Sequence, residues 1–294
     1  MLRPTHLIAL IGINVIFAGA YIAGKFGVNH FPPLFFSGAR FLLVFLALLP
    51  FFRWHPVPRT HLKPFLGFCF SMGIGVYASM YLALSLADGV SGILIGTQFS
   101  VPMAALLGMW WLKDKISQTT WLGIILAFVG VMIVGFDGAI LGYGLAFSLI
   151  ILSAFFYASA NVLSQKLSGK VSVLNLNAWM ALLSAPPMFL CSLLFEQQQW
   201  QALTTADSGD WAALLYSALV VTLVGHCGMF VLLRRYPVAL IMPYYVLVPI
   251  FGVIGSIVMF SETPTLKFYL GAVIALSGVW VVNVIGKRRR LTTA

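Results

Sequence analysis

The sequence predicts an all-α membrane protein of ten transmembrane helices, arranged as two inverted five-helix repeats with N- and C-termini cytoplasmic. Three observations predict it. Of the 294 residues, 61% are hydrophobic and only 8% are charged, against about 25% charged in soluble domains. The apolar residues recur in runs of about twenty, the length at which a helix crosses hydrocarbon. A stretch of each half also resembles a stretch of the other.

Broken at proline, glycine and charge clusters, the runs fall near residues 5–24, 32–52, 64–86, 90–112, 118–136, 142–165, 173–195, 210–233, 238–260 and 265–286. Helices are required because lipid offers the backbone no hydrogen-bond partner, and the runs are too uniformly apolar for barrel strands. The first run, with Arg3 before it and Ala18, Gly19 and Ala20 within it, faintly resembles a cleavable signal peptide. The charge distribution needs it as a span.

With the N-terminus cytoplasmic, the inner segments hold Arg3, Arg53, Arg59, Lys63, Lys113, Lys115, Lys166, Lys170, Arg234, Arg235 and the tail Lys287, Arg288, Arg289 and Arg290. That is fourteen of the seventeen Lys and Arg residues. The positive-inside rule thus favours both termini inside and an even number of spans. Six acids, Asp88, Asp137, Glu196, Asp207, Asp210 and Glu262, fall outside. The net charge of +10 is therefore a topology signal, and no nucleic-acid partner is expected. Cys69, Cys191 and Cys227 lie inside apolar runs without metal-ligand spacing, so neither a disulfide framework nor a metal or other cofactor is expected.

In the internal repeat, Pro102 meets Pro249, Asp114 meets Glu262, and Gly123 with Gly130 meets Gly271 with Gly278. A weaker match pairs the segment ending at Lys25 with that ending at Lys166. The halves divide at residues 1–139 and 140–294, five spans each. Five is odd, so the second copy lies upside down, an architecture of many secondary transporters. Glycines seven residues apart share a helix face and predict close helix packing. Proline frees a carbonyl within a helix, which is tolerated at lipid depth only when buried or facing a cavity. Pro102, Pro243 and Pro249 therefore mark spans four and nine as lining a central path.

These residues resemble the drug/metabolite transporter superfamily, specifically its EamA-type exporters. The resemblance covers essentially the whole chain. It rests on FPPLFFSGARF around Arg40, ADGVSGIL from Ala87, Lys113 with Asp114, the Gly123 and Gly130 spacing, and the LVP then SET sequences of the second half. It implies that spans one to four and six to nine surround a cavity, with spans five and ten peripheral. It also implies export of amino acids or similar metabolites across the inner membrane, often by proton antiport. Phe17 and Ala20 stand where the family usually has Trp and Asn; the second copy keeps Asn161, with Tyr157 in place of Trp.

Candidate binding residues follow from polarity at depth. Arg40 lies about 12 Å into its span at 1.5 Å per residue, and must face protein or water. Its guanidinium suits a substrate carboxylate, or equally a helix C-terminus or freed carbonyls. His226, deep in span eight, titrates in the physiological range when unperturbed, although a merely hydrogen-bonded buried histidine is common. Gln98 and Asn161 are amides needing partners in apolar helices. Tyr81, Tyr157, Trp179, Tyr244 and Tyr245 lie away from the predicted interfaces, as do Tyr21 and Tyr77, so their rings and hydroxyls suit cavity walls or core packing. Lys25 and Lys166 suit snorkelling or gating. Asp114 and Glu262 are expected in loop salt bridges. No HExxH, GxSxG or Walker sequence appears, so an enzyme is not expected; a channel for a small solute is the nearer alternative.

Overall fold

The computed structural model describes residues 2–54, 57, 59–87, 89–113, 116–135 and 144–260, together with 266–267, 269–271, 273–278 and 280–281. The expectations for Asp88, Asp114, Lys115, Asp137, Glu262 and the basic tail lie outside the described residues. Apolar runs without a polar face form helices one after another: α1 (Pro4–His30), α2 (Pro33–Phe51), α3 (Arg59–Leu86), α4 (Gly92–Leu112), α5 (Gln118–Gly135), α6 (Gly144–Lys166), α7 (Val173–Phe195), α8 (Ser208–Leu233), α9 (Val238–Gly255) and α10 (Tyr269–Gly278). Eight of these are long and apolar enough to cross a membrane; α5 and α10 contribute the shorter apolar stretches Gln118–Gly130 and Tyr269–Gly278. The described residues contain no strand.

The distribution of polarity matches lipid as solvent. Leu42, Leu46, Leu122, Ile125, Leu190 and Leu193 are exposed, while Asn14, Arg40, Gln98, Asn161, Asn177, Thr222 and His226 are buried. A helix in hydrocarbon places its polar groups inward because lipid cannot satisfy them.

Local sequence explains how the helices begin and bend. Proline occupies the first turn of α1 and of α2, where its missing N–H costs nothing. Ser172 caps α7 through Asn175 N, and Asp207 closes a capping box with Asp210 on α8. In α4 and α9 the helix tightens to 3₁₀ geometry at Thr97–Phe99 and Met242–Val246. Each stretch ends three residues before its proline, Pro102 or Pro249, because a proline ring displaces the carbonyl four residues earlier. Helices α3 and α8 widen to π geometry at Cys69–Val76 and Tyr216–His226, a distortion that often accompanies functional sites. Each half thus carries a π stretch in one helix and a 3₁₀ stretch in the next; α4 alone adds a second π stretch, at Gly108–Leu112.

Helices α2 and α7 pack against each other. Helices α5 and α10 meet through their glycines: a Cβ on Gly130 would strike the backbone of Gly271 and Ala275, and one on Gly278 that of Gly123 and Ala127. The spacing read from the sequence is therefore a seam between the last helices of the two halves.

The segment between α7 and α8 ties the halves at one end. Glu196 accepts hydrogen bonds from Leu34 N at 2.8 Å and Phe35 N at 3.0 Å, capping α2 from the other half. Glu196→Ala is expected to lower stability by about 1 kcal/mol, as for loss of a helix cap, measured by thermal unfolding in detergent; an unchanged transition would refute it. The Asp207 carboxyl is held below its ordinary value of 3.8 by hydrogen bonds from Asp210 N and Gly209 N. Its contribution is full above the unfolded value and is lost as pH falls through the depressed one. Asp207→Asn keeps an acceptor, so the expected result is unchanged stability near neutral pH and a shallower decline on acidification than the parent shows.

Candidate functional site

Between the halves lies a narrow cavity of about 30 Å³, room for one or two waters at about 15 Å³ each. The first half supplies Phe17 and Tyr21 from α1, Tyr77 and Tyr81 from α3, and Thr97 from α4. The second supplies Ser153, Ala154 and Tyr157 from α6, Ser217 and His226 from α8, and Tyr245 from α9. Corresponding helices of the two halves therefore contribute alike. Thr97 and Tyr245 reach the cavity from the 3₁₀ stretches, Ser217 and His226 from the π stretch.

The walls are aromatic. Phe17 lies 4.8 Å from the His226 ring and 6.4 Å from Tyr157, centroid to centroid, and Tyr157 lies 5.1 Å from Tyr245. The Tyr21 and Tyr245 hydroxyls are 2.9 Å apart, joining α1 to α9.

Behind one wall sits Arg40, fully buried. Its Nε donates to Ser217 O at 2.7 Å, and its Nη2 to Thr222 Oγ1 at 2.6 Å and to the Tyr77 hydroxyl at 2.8 Å. The guanidinium carbon also lies 3.7 Å from the Tyr77 ring centroid, cation–π distance. Arginine only donates, so the Tyr77 proton points to His226 Nε2, 2.6 Å away. That contact assigns the His226 proton to Nδ1. The result is a directed chain from Arg40 through Tyr77 to His226, and the Ser217 carbonyl that anchors it lies in the π stretch of α8. Among the described residues no carboxylate pairs with Arg40.

The remaining sequence candidates fall outside the cavity lining. Gln98 Nε2 donates to Thr97 Oγ1 at 3.1 Å, while its Oε1 finds no partner among the described residues. Asn161 is fully buried beside Tyr157. Tyr244 is buried next to Tyr245. Trp179 is elsewhere, packed with Phe52 at 5.2 Å, Trp54 at 4.7 Å and Phe65 at 6.1 Å. Lys25 Nζ donates to the carbonyls of Leu84 at 3.1 Å and Ala87 at 2.6 Å, closing the C-terminus of α3, where a cation also suits the helix dipole. Sequence reading passed over Thr97, Ser217 and Thr222. Thr222 was findable, being four residues from His226 and so on the same helix face.

Both ends of α1 bind the second half. At one end His30 Nε2 donates to Ala202 O at 2.9 Å, and Nδ1 lies 3.3 Å from Asp210 Oδ2. At the other, His6 Nδ1 meets the Tyr236 hydroxyl at 2.7 Å.

An apolar helical bundle whose two halves together wall an aromatic cavity defines a multi-pass membrane transporter. The sequence pattern of the EamA-like transporter family matches residues 5–136 and again 144–284, and the chain belongs to that family. It is 31% identical over 302 residues to a "Probable amino-acid metabolite efflux pump" of Salmonella typhimurium, covering 99% of this chain and 98% of that one. A protein of the same description from Escherichia coli K12 is 28% identical over 303 residues, with the same coverage. An Escherichia coli "Uncharacterized inner membrane transporter YedA" is 22% identical over 87% of this chain and 83% of its own. A crystal structure of a protein sharing 16% identity superposes with a TM-score of 0.78, covering 98% of this chain and 99% of that one; at that identity it speaks for the fold alone.

Proposed function

We propose that this chain exports amino acids or related small metabolites across the inner membrane by alternating access, with proton coupling. Two inverted five-helix repeats, 1–139 and 140–294, make ten spans with both termini in the cytoplasm. The observation that carries the proposal is the cavity: three helices from each half enclose it, and it is too small in this state for an amino acid. A carrier needs such an occluded state, from which the halves separate on one side or the other. The His30–Asp210 contact serves as the outer closure and the His6–Tyr236 contact as the inner one. The descriptions of the relatives support the substrate class and the membrane, and the double family match supports the repeat. Arg40, Tyr77, Tyr81, Tyr157, His226 and Tyr245 form the binding site. Gln98, Asn161 and Tyr244 stand just behind the wall and reach substrate as the halves part; Trp179 has no part in it.

The test is uptake into proteoliposomes by a panel of amino acids, with and without a pH gradient. Saturable counterflow is expected, and its dependence on the gradient reports the coupling. Single-channel currents would replace the carrier with a channel or facilitator, and transport of no amino acid would overturn the substrate class. Gln98→Ala and Asn161→Ala are each expected to weaken apparent affinity severalfold; unchanged affinity in both would remove the amides from the site.

A further inference from the structure

We propose that Arg40, acting through Tyr77 and His226, selects the charge class of the substrate: a carboxylate-bearing molecule whose side chain carries no positive charge. The inference rests on the amino-acid reading of the same cavity and adds a rule of discrimination to it.

Three observations carry it. First, Arg40 is a fully buried cation, and its hydrogen-bond partners, Ser217 O, Thr222 Oγ1 and the Tyr77 hydroxyl, are all neutral. Second, no acid is available at that depth. Within the eight long spans the only Asp or Glu is Asp210, in the first turn of α8 and engaged with His30 and Asp207 N. Third, groups at and just behind the cavity wall offer protons. Arg40 Nη1, behind the wall, and His226 Nδ1, in the lining, are buried without a hydrogen-bond partner among the described residues. The Tyr77 contact already leaves the proton of His226 on Nδ1, so both atoms bear a hydrogen that can be donated.

A carboxylate is the complement of such a site. It accepts several hydrogen bonds at once, and a charge-assisted bond is about twice as strong as a neutral one. A second cation is its opposite, because the low dielectric of the span leaves the repulsion from Arg40 unscreened. The α-ammonium of a zwitterion is offset by its own carboxylate; a side-chain ammonium is not. Arg40 reaches the cavity through Tyr77 and Ser217, which makes it a positioning residue whose charge sets the potential of the pocket.

The experiment uses matched ligands competing against labelled norleucine in proteoliposomes of the full chain. Lysine is norleucine with a terminal ammonium, hexanoate is norleucine without the amine, and pentylamine is norleucine without the carboxylate. Hexanoate is expected to compete, and lysine and pentylamine to compete at least tenfold more weakly than unlabelled norleucine. Thr222→Asp places a carboxylate against the guanidinium where the hydroxyl now sits, and Arg40→Gln removes the charge. Each is expected to narrow the norleucine-to-lysine preference by at least tenfold, a ratio that a merely structural role would leave unmoved while total uptake fell. Lysine competing as well as norleucine in the parent protein overturns the proposal whether or not either variant folds, and so does an unchanged ratio in folded Thr222→Asp. Norleucine carried without charge preference leaves the amino-acid reading standing, whereas carriage of no amino acid overturns both.

Discussion

Gly278→Leu, and equally Gly130→Leu, is expected to abolish recovery of folded protein. A Cβ at Gly278 would lie against Ala127 N and Gly123 O, and one at Gly130 against Ala275 N and Gly271 O. These are backbone atoms, which have no rotamer by which to move aside, so α5 and α10 would have to separate. Overpacking of a tight interior costs about 1–3 kcal/mol and sometimes more, and a leucine against backbone belongs at or above the top of that range. Native stability is only about 5–15 kcal/mol. Even Gly278→Ala is expected to lower the unfolding temperature in detergent. Gly12 supplies the control. It lies in α1 with nothing within 4 Å of an added Cβ, so Gly12→Ala is expected to be neutral or to stabilise by up to about 1 kcal/mol through helix propensity. Equal unfolding temperatures for the two alanine variants would refute the seam.

Tyr77→Phe is expected to reduce transport at least tenfold with the protein still folded. The substitution keeps the ring beneath Arg40 and removes only the hydroxyl, which accepts from Nη2 and donates to His226 Nε2. A hydrogen bond to a charged group is worth about 1.5–3 kcal/mol, and each 1.4 kcal/mol is about a factor of ten in affinity or rate. Arg40 retains Ser217 O and Thr222 Oγ1, so the bundle has reason to survive while the chain of donors is cut. Uptake into proteoliposomes, normalised to folded protein, decides it; full activity would show that the chain is only structural support. Tyr245→Phe is the useful companion, since it removes the other inter-half hydroxyl contact, to Tyr21 at 2.9 Å, without touching Arg40.

Eight of the apolar runs read from the sequence coincide with the eight helices long and apolar enough to cross a membrane, their ends differing by at most six residues. The family pattern matches twice, and its second match begins at 144. The prolines were informative for a local reason: each displaces a carbonyl one turn back, and Thr97 and Tyr245 sit in those turns. Gln98, next to Thr97, was singled out for its amide, yet Thr97 lines the cavity, because one residue along a helix is about 100° of rotation. Tyr157 and Asn161 are one turn apart, and only the tyrosine reaches the space. Trp179 belongs to an aromatic cluster with Phe52 and Trp54, which composition alone could not distinguish from a cavity wall.

What the sequence by itself determined is which segments enter lipid and which side chains must be sheltered there. Transfer free energy belongs to each residue, and Arg40, His226, Gln98 and Asn161 cost too much to face hydrocarbon wherever their helices go. Only the tertiary structure decided which of them meet. Arg40 finds Thr222 across 182 residues and Tyr77 finds His226 across 149, and such encounters depend on the rotation and tilt of helices set by packing between distant segments. That packing turned a buried arginine and a buried histidine into the two ends of one hydrogen-bonded chain beside a cavity.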